Sequence, residues 1–199
     1  MSRTRKTLLT LLIIGVVGAL AGIGTFSAFS STTDNSGNTF AAGTVYVSDN
    51  DAGSAMYNVT NQKPAQTTTR CIVLTYTGTL ASDVKLYTTS SVNSPPSQYI
   101  DFTVEKGTFP GAPPAFPSCT GYISGSTIYS GTLANFASTK NSYANGIAAY
   151  PGAQTQWNQN DTLVYRFTLT LQDNNNANAG SGAGYATGSH SFTWEAQNQ

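Results

Sequence analysis

The sequence predicts an all-β protein, an antiparallel two-sheet sandwich of jelly-roll-like form with one disulfide. Three observations carry that expectation. Beyond the first 28 residues no long helical period appears; short alternating or β-branched runs are bounded instead by Gly, Pro, Asn and Ser. Eight or nine such runs fall within roughly 170 residues, which suits one domain built from two packed antiparallel sheets. The two cysteines, Cys71 and Cys119, both lie in this part of the chain. In an exported protein an even pair reads as a disulfide, with two separate buried thiols as the alternative.

The runs follow in order. The stretch 40–47 is the first, and Met56 to Thr60 is a short second. Across Thr68 to Thr77, Ile72, Leu74 and Tyr76 face one way while Cys71, Val73 and Thr75 face the other. Ala81 to Thr88 comes after the turn Thr77-Gly78-Thr79 and reads as the hairpin partner of the preceding run. From Tyr99 to Lys106, Phe102 and Val104 alternate with Asp101, Thr103 and Glu105. Tyr122 to Tyr129 follows. Leu133 to Ser138 fits either a helical turn or a surface segment. Thr162 to Leu171 gives the clearest alternation, with Leu163, Tyr165, Phe167, Leu169 and Leu171 on one face. His190 to Ala196 closes the chain with Phe192 and Trp194 inward. Loops are expected at Phe109 to Pro117, whose four prolines exclude a central strand, at Asn141 to Asn160, and at Asp173 to Gly188.

The first 28 residues have the layout of a signal peptide. Arg3, Arg5 and Lys6 precede an apolar run from Leu8 to Ile23. That run is shorter than the ~20 residues a membrane-spanning helix requires, and Gly15, Gly18, Gly22 and Gly24 weaken it as a retained anchor. A small-x-small rule places the cut after Gly22 or Gly24. The chain carries nine basic and nine acidic residues, and the leader holds three of the basic ones and none of the acidic. The remainder, with six against nine, has a net charge of −3. No Lys/Arg cluster is present, which argues against nucleic acid and anionic membrane surfaces as partners.

Catalytic chemistry is hard to assemble from these residues. His190 is the only histidine, so a His-Glu-x-x-His zinc motif is impossible, and no Gly-x-Ser-x-Gly elbow or phosphate-binding glycine loop occurs. The acids are scattered, and no pair stands out for glycoside hydrolysis. No cofactor is expected. Calcium is the one ion with candidate ligands, at Asp49-Asn50-Asp51 and Asp173-Asn174-Asn175-Asn176, and turn chemistry explains these residues equally well.

Gly24-Thr25-Phe26-Ser27-Ala28-Phe29-Ser30, followed by Asn38-Thr39-Phe40-Ala41-Ala42-Gly43-Thr44-Val45, resembles the TasA/CalY (camelysin) family. Arg70 to Gly78 and Phe192 to Ala196 look like an actinobacterial branch of it. The resemblance implies cleavage by a SipW-type signal peptidase between Ala28 and Phe29, and hence residues 1–28 as leader, 29–39 as an N-terminal segment and 40–199 as the sandwich. It implies a secreted jelly-roll subunit that self-associates into biofilm-matrix fibres, the N-terminal segment of one copy adding as a strand to the next. Phe29, Ser30 and Phe40 would then serve assembly, with Phe29 as an anchor. An unpaired sheet edge can accept such a strand. Some family members are labelled metallo-endopeptidases, an activity the missing zinc motif does not support here. Two other readings remain. One is a monomeric secreted module binding glycan or a surface protein, with Tyr143, Tyr150 and Trp157 exposed to stack on sugars. The other is an enzyme, for which a protease is the first candidate.

Overall fold

The computed structural model describes residues 3–26, 41–178 and 186–198. Contacts divide the chain into two units, Met1–Ala41 and Ala42–Gln199. The first contains the helix α1, Arg3–Phe26. Among the described residues no helix is long and apolar enough to cross a membrane.

The second unit is the expected sandwich. Its elements are β1 (Val47–Asp49), β2 (Thr67–Tyr76), β3 (Ser82–Tyr87), a 3-10 turn (Pro95–Tyr99), β4 (Ile100–Thr108), β5 (Ile123–Thr132), α2 (Leu133–Thr139), β6 (Ile147–Ala148), β7 (Thr162–Leu171), α3 (Asn175–Asn178) and β8 (Thr193–Asn198). A five-stranded sheet runs β1-β2-β7-β4-β5 and a three-stranded sheet runs β6-β3-β8. Every pairing is antiparallel. Period-2 alternation supplies the core from both sheets. Ile72, Leu74, Tyr76, Phe102, Val104, Leu163, Tyr165 and Phe167 come from one, Val84 and Leu86 from the other.

Phe102 stands at the centre of that core. Its ring lies 5.6 Å from Phe167 and 5.5 Å from Phe192, both stacked, and 5.1 Å from Phe136 edge-on. Phe136 belongs to α2, so this segment is a buried helix and not a surface stretch. The helix starts where the Thr132 hydroxyl accepts from the Asn135 N–H at 3.2 Å, a standard N-cap. Leu133 and Phe136 then point into the core.

Several expectations are corrected. Ala81 to Thr88 is not the hairpin partner of β2: β3 lies in the opposite sheet, beside β6 and β8. The turn does not fold back because Tyr76, at the end of β2, donates its hydroxyl proton to the Leu80 carbonyl at 2.5 Å and meets the Ser82 hydroxyl at 2.7 Å. These contacts hold the segment as a crossing between layers. Met56 to Thr60 forms no strand. The first strand begins only at Val47; before it, the Thr44 carbonyl accepts from the Leu80 N–H at 3.1 Å and the Tyr46 carbonyl from Thr77 at 3.0 Å. This pairs the Gly43-Thr44-Val45 motif with the crossing. A side chain at Gly43 would collide with Leu80, so the glycine there meets a packing need.

The β4–β5 ladder slips twice, between Val104 and Glu105 and between Lys106 and Gly107. At the second slip the Ile123 backbone crosses directly over Gly107, and a Cβ added there would run into the Ile123 carbonyl and sit 2.6 Å from the Tyr122 ring. Gly107→Ala is therefore expected to destabilise the protein by ~1–3 kcal/mol, the range of overpacked sites. Chemical denaturation measures it; a change below about 0.5 kcal/mol would mean that the bulge opens freely.

Candidate functional site

The edges of the sheets, where backbone donors and acceptors are left over, form the candidate site. Beyond β1, the outer edge of β2 is covered at Cys71 and Val73. Its Cys71 N–H donates to the Pro117 carbonyl at 3.0 Å, and its Val73 N–H to Asn50 Oδ1 at 2.9 Å. The Cys71–Cys119 disulfide pins the proline-rich loop in this position. Arg166 reinforces it from β7: its guanidinium pairs with Glu105 and lies 4.6 Å over the Tyr122 ring, which meets Phe109 edge-on. The β6 edge is only two residues long, and Ser82 and Trp157 exchange both backbone hydrogen bonds beside it, at 3.1 and 2.8 Å.

The other edge of the three-stranded sheet differs. β8 pairs with β3 over six consecutive residues without a slip, and among the described residues no strand lies on its other side. A groove separates β8 from β1. Val47, Leu74, Phe192 and Trp194 form its apolar lining, with Asp49 and Asp51 at the rim. Trp194 packs its ring edge-on against Tyr165 at 5.5 Å.

Two carboxylates flank this corner. On the outer face of β8, Glu195 accepts from the Tyr87 hydroxyl at 2.6 Å and from Gln197 Nε2 at 2.7 Å. Those bonds hold its carboxyl below the usual range. Asp49 goes the other way: burial, then the neighbouring Asp51, push its carboxyl up against the opposing pull of the Asp51 backbone N–H. A depressed carboxyl stabilises the fold above its unfolded-state pKa, and that contribution disappears as pH falls through the folded value. Glu195→Gln is thus expected to flatten the loss of stability between about pH 5 and about pH 3. Melting curves across that range check it; an unchanged acid limb would show that the two bonds to Glu195 contribute nothing.

The structure treats the residues singled out in the sequence unevenly. Ala28, Phe29, Ser30 and Phe40, and with them the cleavage position and the 29–39 segment, lie outside the described residues. Cys71 and Cys119 are joined. Trp157 is not an exposed stacking residue. It is fully buried, with its indole N–H donating to the Ala149 carbonyl at 2.7 Å, because the bridge to Ser82 draws the loop over the core. Tyr143 and Tyr150 are half-buried, and both hydroxyls are engaged by Asp83, through its carbonyl and its carboxylate respectively. Burial, and then the carboxylate contact, push Tyr150 up to about 12. Around Asp49-Asn50-Asp51 the oxygens serve the turn: Asp49 Oδ1 accepts from the Asp51 N–H at 3.0 Å and Asp51 Oδ1 from the Gly53 N–H at 2.6 Å. Sequence reading missed the β1–β8 groove, which no local signal marks.

Fold and edges together define a disulfide-bonded antiparallel β-sandwich in which, among the described residues, no strand pairs with the outer side of β8. The profile that matches residues 4–103 is described as camelysin metallo-endopeptidase. The chain belongs to that family, in agreement with its N-terminal motif. None of the curated proteins matches the chain.

The family name implies a metal, and the described residues do not fit a metallopeptidase site. The one histidine has both ring nitrogens engaged. His190 Nδ1 lies 3.0 Å from the Gly188 carbonyl, which can only accept, so Nε2 accepts from the Tyr57 hydroxyl 2.5 Å away. Both cysteines are oxidised, and among the described residues no three of His, Cys, Asp and Glu converge.

Proposed function

We propose that the protein is a secreted structural subunit that polymerises into extracellular matrix fibres, the N-terminal segment from Phe29 to Asn38 of one copy adding as a strand to the next. The observation that carries this reading is the imbalance of the sheets, five strands facing three among the described residues. A double-sheet jelly roll uses eight strands in two Greek keys, and here β1 has joined the larger sheet. The smaller one has room for a strand from outside. Head-to-tail donation of this kind is heterologous and propagates without closing. Family membership and the arginine- and lysine-tipped leader favour export, with a signal peptidase cutting at Ala28–Phe29.

The test is negative-stain electron microscopy of the chain beginning at Phe29, over a range of concentrations. Filaments one subunit wide are expected, and removal of residues 29–38 is expected to abolish them. Dispersed particles throughout would overturn the reading in favour of a monomeric module for glycan or another surface protein. Filaments that survive the deletion would leave a matrix fibre but rule out strand donation.

A further inference from the structure

We propose that Tyr57 and His190 form an acid-sensitive latch, closed while the imidazole is neutral and opened by its protonation. The latch belongs to a single copy of the chain and does not depend on assembly.

It joins two stretches, 54–60 and 186–191, that belong to no strand. The first lies between β1 and β2, and the second is a strap leading into β8. The Tyr57 hydroxyl and His190 Nε2 are 2.5 Å apart, although 133 positions separate the two residues in sequence. Their rings pack as well, tilted, at 5.6 Å. Phe192 meets both, His190 edge-on at 5.8 Å and Tyr57 at 6.3 Å. The strap has further ties that hold no titratable group. Thr88 Oγ1 donates to the Ser191 carbonyl at 2.6 Å, and the Ser191 N–H donates to Ser90 Oγ at 3.0 Å.

Closure requires one protonation state. The Gly188 carbonyl beside Nδ1 can only accept, so Nδ1 carries the ring proton and Nε2 offers its lone pair to the Tyr57 hydroxyl. A second ring proton turns Nε2 into a donor, aimed at a hydroxyl that already donates to it. Burial holds the Tyr57 hydroxyl well above the ordinary phenol range, so it keeps its own proton. That proton must then turn away, and among the described residues the hydroxyl has no other bonded partner. A donor taken out of water without an acceptor is costly. The new charge gains no ion pair either, since the one seen among the described residues is Arg166–Glu105. Opening returns both groups to water.

Histidine is the side chain whose charge changes between about pH 5 and about pH 8, and His190 is the only one in the chain. Around its ring stand Tyr57 from the β1–β2 loop, and Gly188 and Phe192 from its own strap. The acids of the neighbouring elements are Asp49 and Asp51, across the groove that Phe192 lines, and Glu195, bonded to Tyr87 on the outer face of β8. Asp49 has a raised carboxyl, so its response to acid has to be separated from that of His190. Phe192 limits the opening. It stacks on Phe102 at 5.5 Å and on Phe167 at 4.9 Å, contacts that involve no proton. Protonation therefore frees 54–60 and 186–191 and leaves the sandwich folded, a local opening.

Backbone nitrogen relaxation by NMR on the full-length chain, at about pH 8 and about pH 5, tests the latch, with the His190 ring resonances recording its charge. At the higher pH the two stretches are expected to show order parameters of rigid backbone, about 0.85, and at the lower pH to fall below about 0.6. Strands β2, β4 and β7 are expected to stay rigid throughout. His190→Gln offers Tyr57 a neutral acceptor and is expected to remain closed at both pH values. Tyr57→Phe removes the bond and is expected to show the loosened pattern already at the higher one. Rigidity that persists while the ring protonates would overturn the latch, and so would flexibility at both pH values. An acid response that survives in His190→Gln would overturn it too and pass the response to Asp49. Should a variant fail to fold, the order parameters of the unaltered chain set against its ring titration still decide.

Discussion

Replacing Phe102 by alanine is expected to lower the unfolding free energy by about 3–5 kcal/mol, the range for a large aromatic removed from a packed core. The side chain is fully buried. Its ring neighbours come from three layers: Phe167 on β7, Phe136 on α2, and Phe192 just before β8, with Tyr129 on β5 at 5.8 Å. A void there cannot close by one element moving, since β4 is fixed on both sides by β5 and β7. Aromatic pairing adds about 0.5–1.5 kcal/mol per contact beyond area burial, so the loss should fall high in the range. Phe102→Leu, which keeps most of the volume, should cost clearly less. Guanidinium denaturation of both variants checks this. A loss under about 1 kcal/mol for the alanine would mean that the cluster repacks and is not the keystone its contacts imply.

The second large effect is expected on replacing Cys71 and Cys119 together by serine. The bond closes a separation of 48 residues, for which the chain-entropy argument gives about 4 kcal/mol. A structural consequence accompanies the loss. The Cys71 N–H is bonded to the Pro117 carbonyl, and the disulfide holds that loop over the outer edge of β2. Once freed, the loop is held by its Tyr122–Arg166 and Phe109–Tyr122 contacts and by the packing of Phe116 against the core. The Cys71 N–H then loses its cover, an invitation to irregular strand pairing at this edge. The expected result is a lower denaturation midpoint together with amorphous aggregates that differ from filaments. An unchanged midpoint in reductant would count against the stabilising role, and clean monomers after reduction against the edge-covering one.

Much of this fold is legible residue by residue. The inward faces of β2, β4 and β7 follow from alternation alone, because side-chain direction in a strand has a period of two whatever the strand pairs with. Ile72-x-Leu74-x-Tyr76 and Leu163-x-Tyr165-x-Phe167 needed no partner to be read. The hairpin expected between β2 and β3 failed for the converse reason. A turn signal specifies a reversal of direction, and contacts of the Tyr76 hydroxyl decided that the chain changes layer there. Trp157 misled because its polar surroundings in sequence say nothing of the Ser82 bridge that pulls it inward.

By itself, then, the sequence determined the all-β class, the buried face of each long strand, the leader motif and the capacity for a disulfide. These are local properties, set by side-chain periodicity and residue type. Only the tertiary structure decided which sheet each strand joins, which edges are covered, and that among the described residues β8 has one side without a strand, next to an apolar groove. Those outcomes depend on pairings between residues a hundred or more positions apart, such as Ser82 with Asn198. No local pattern encodes a strand's neighbour, and an edge exists only once every other pairing has been made.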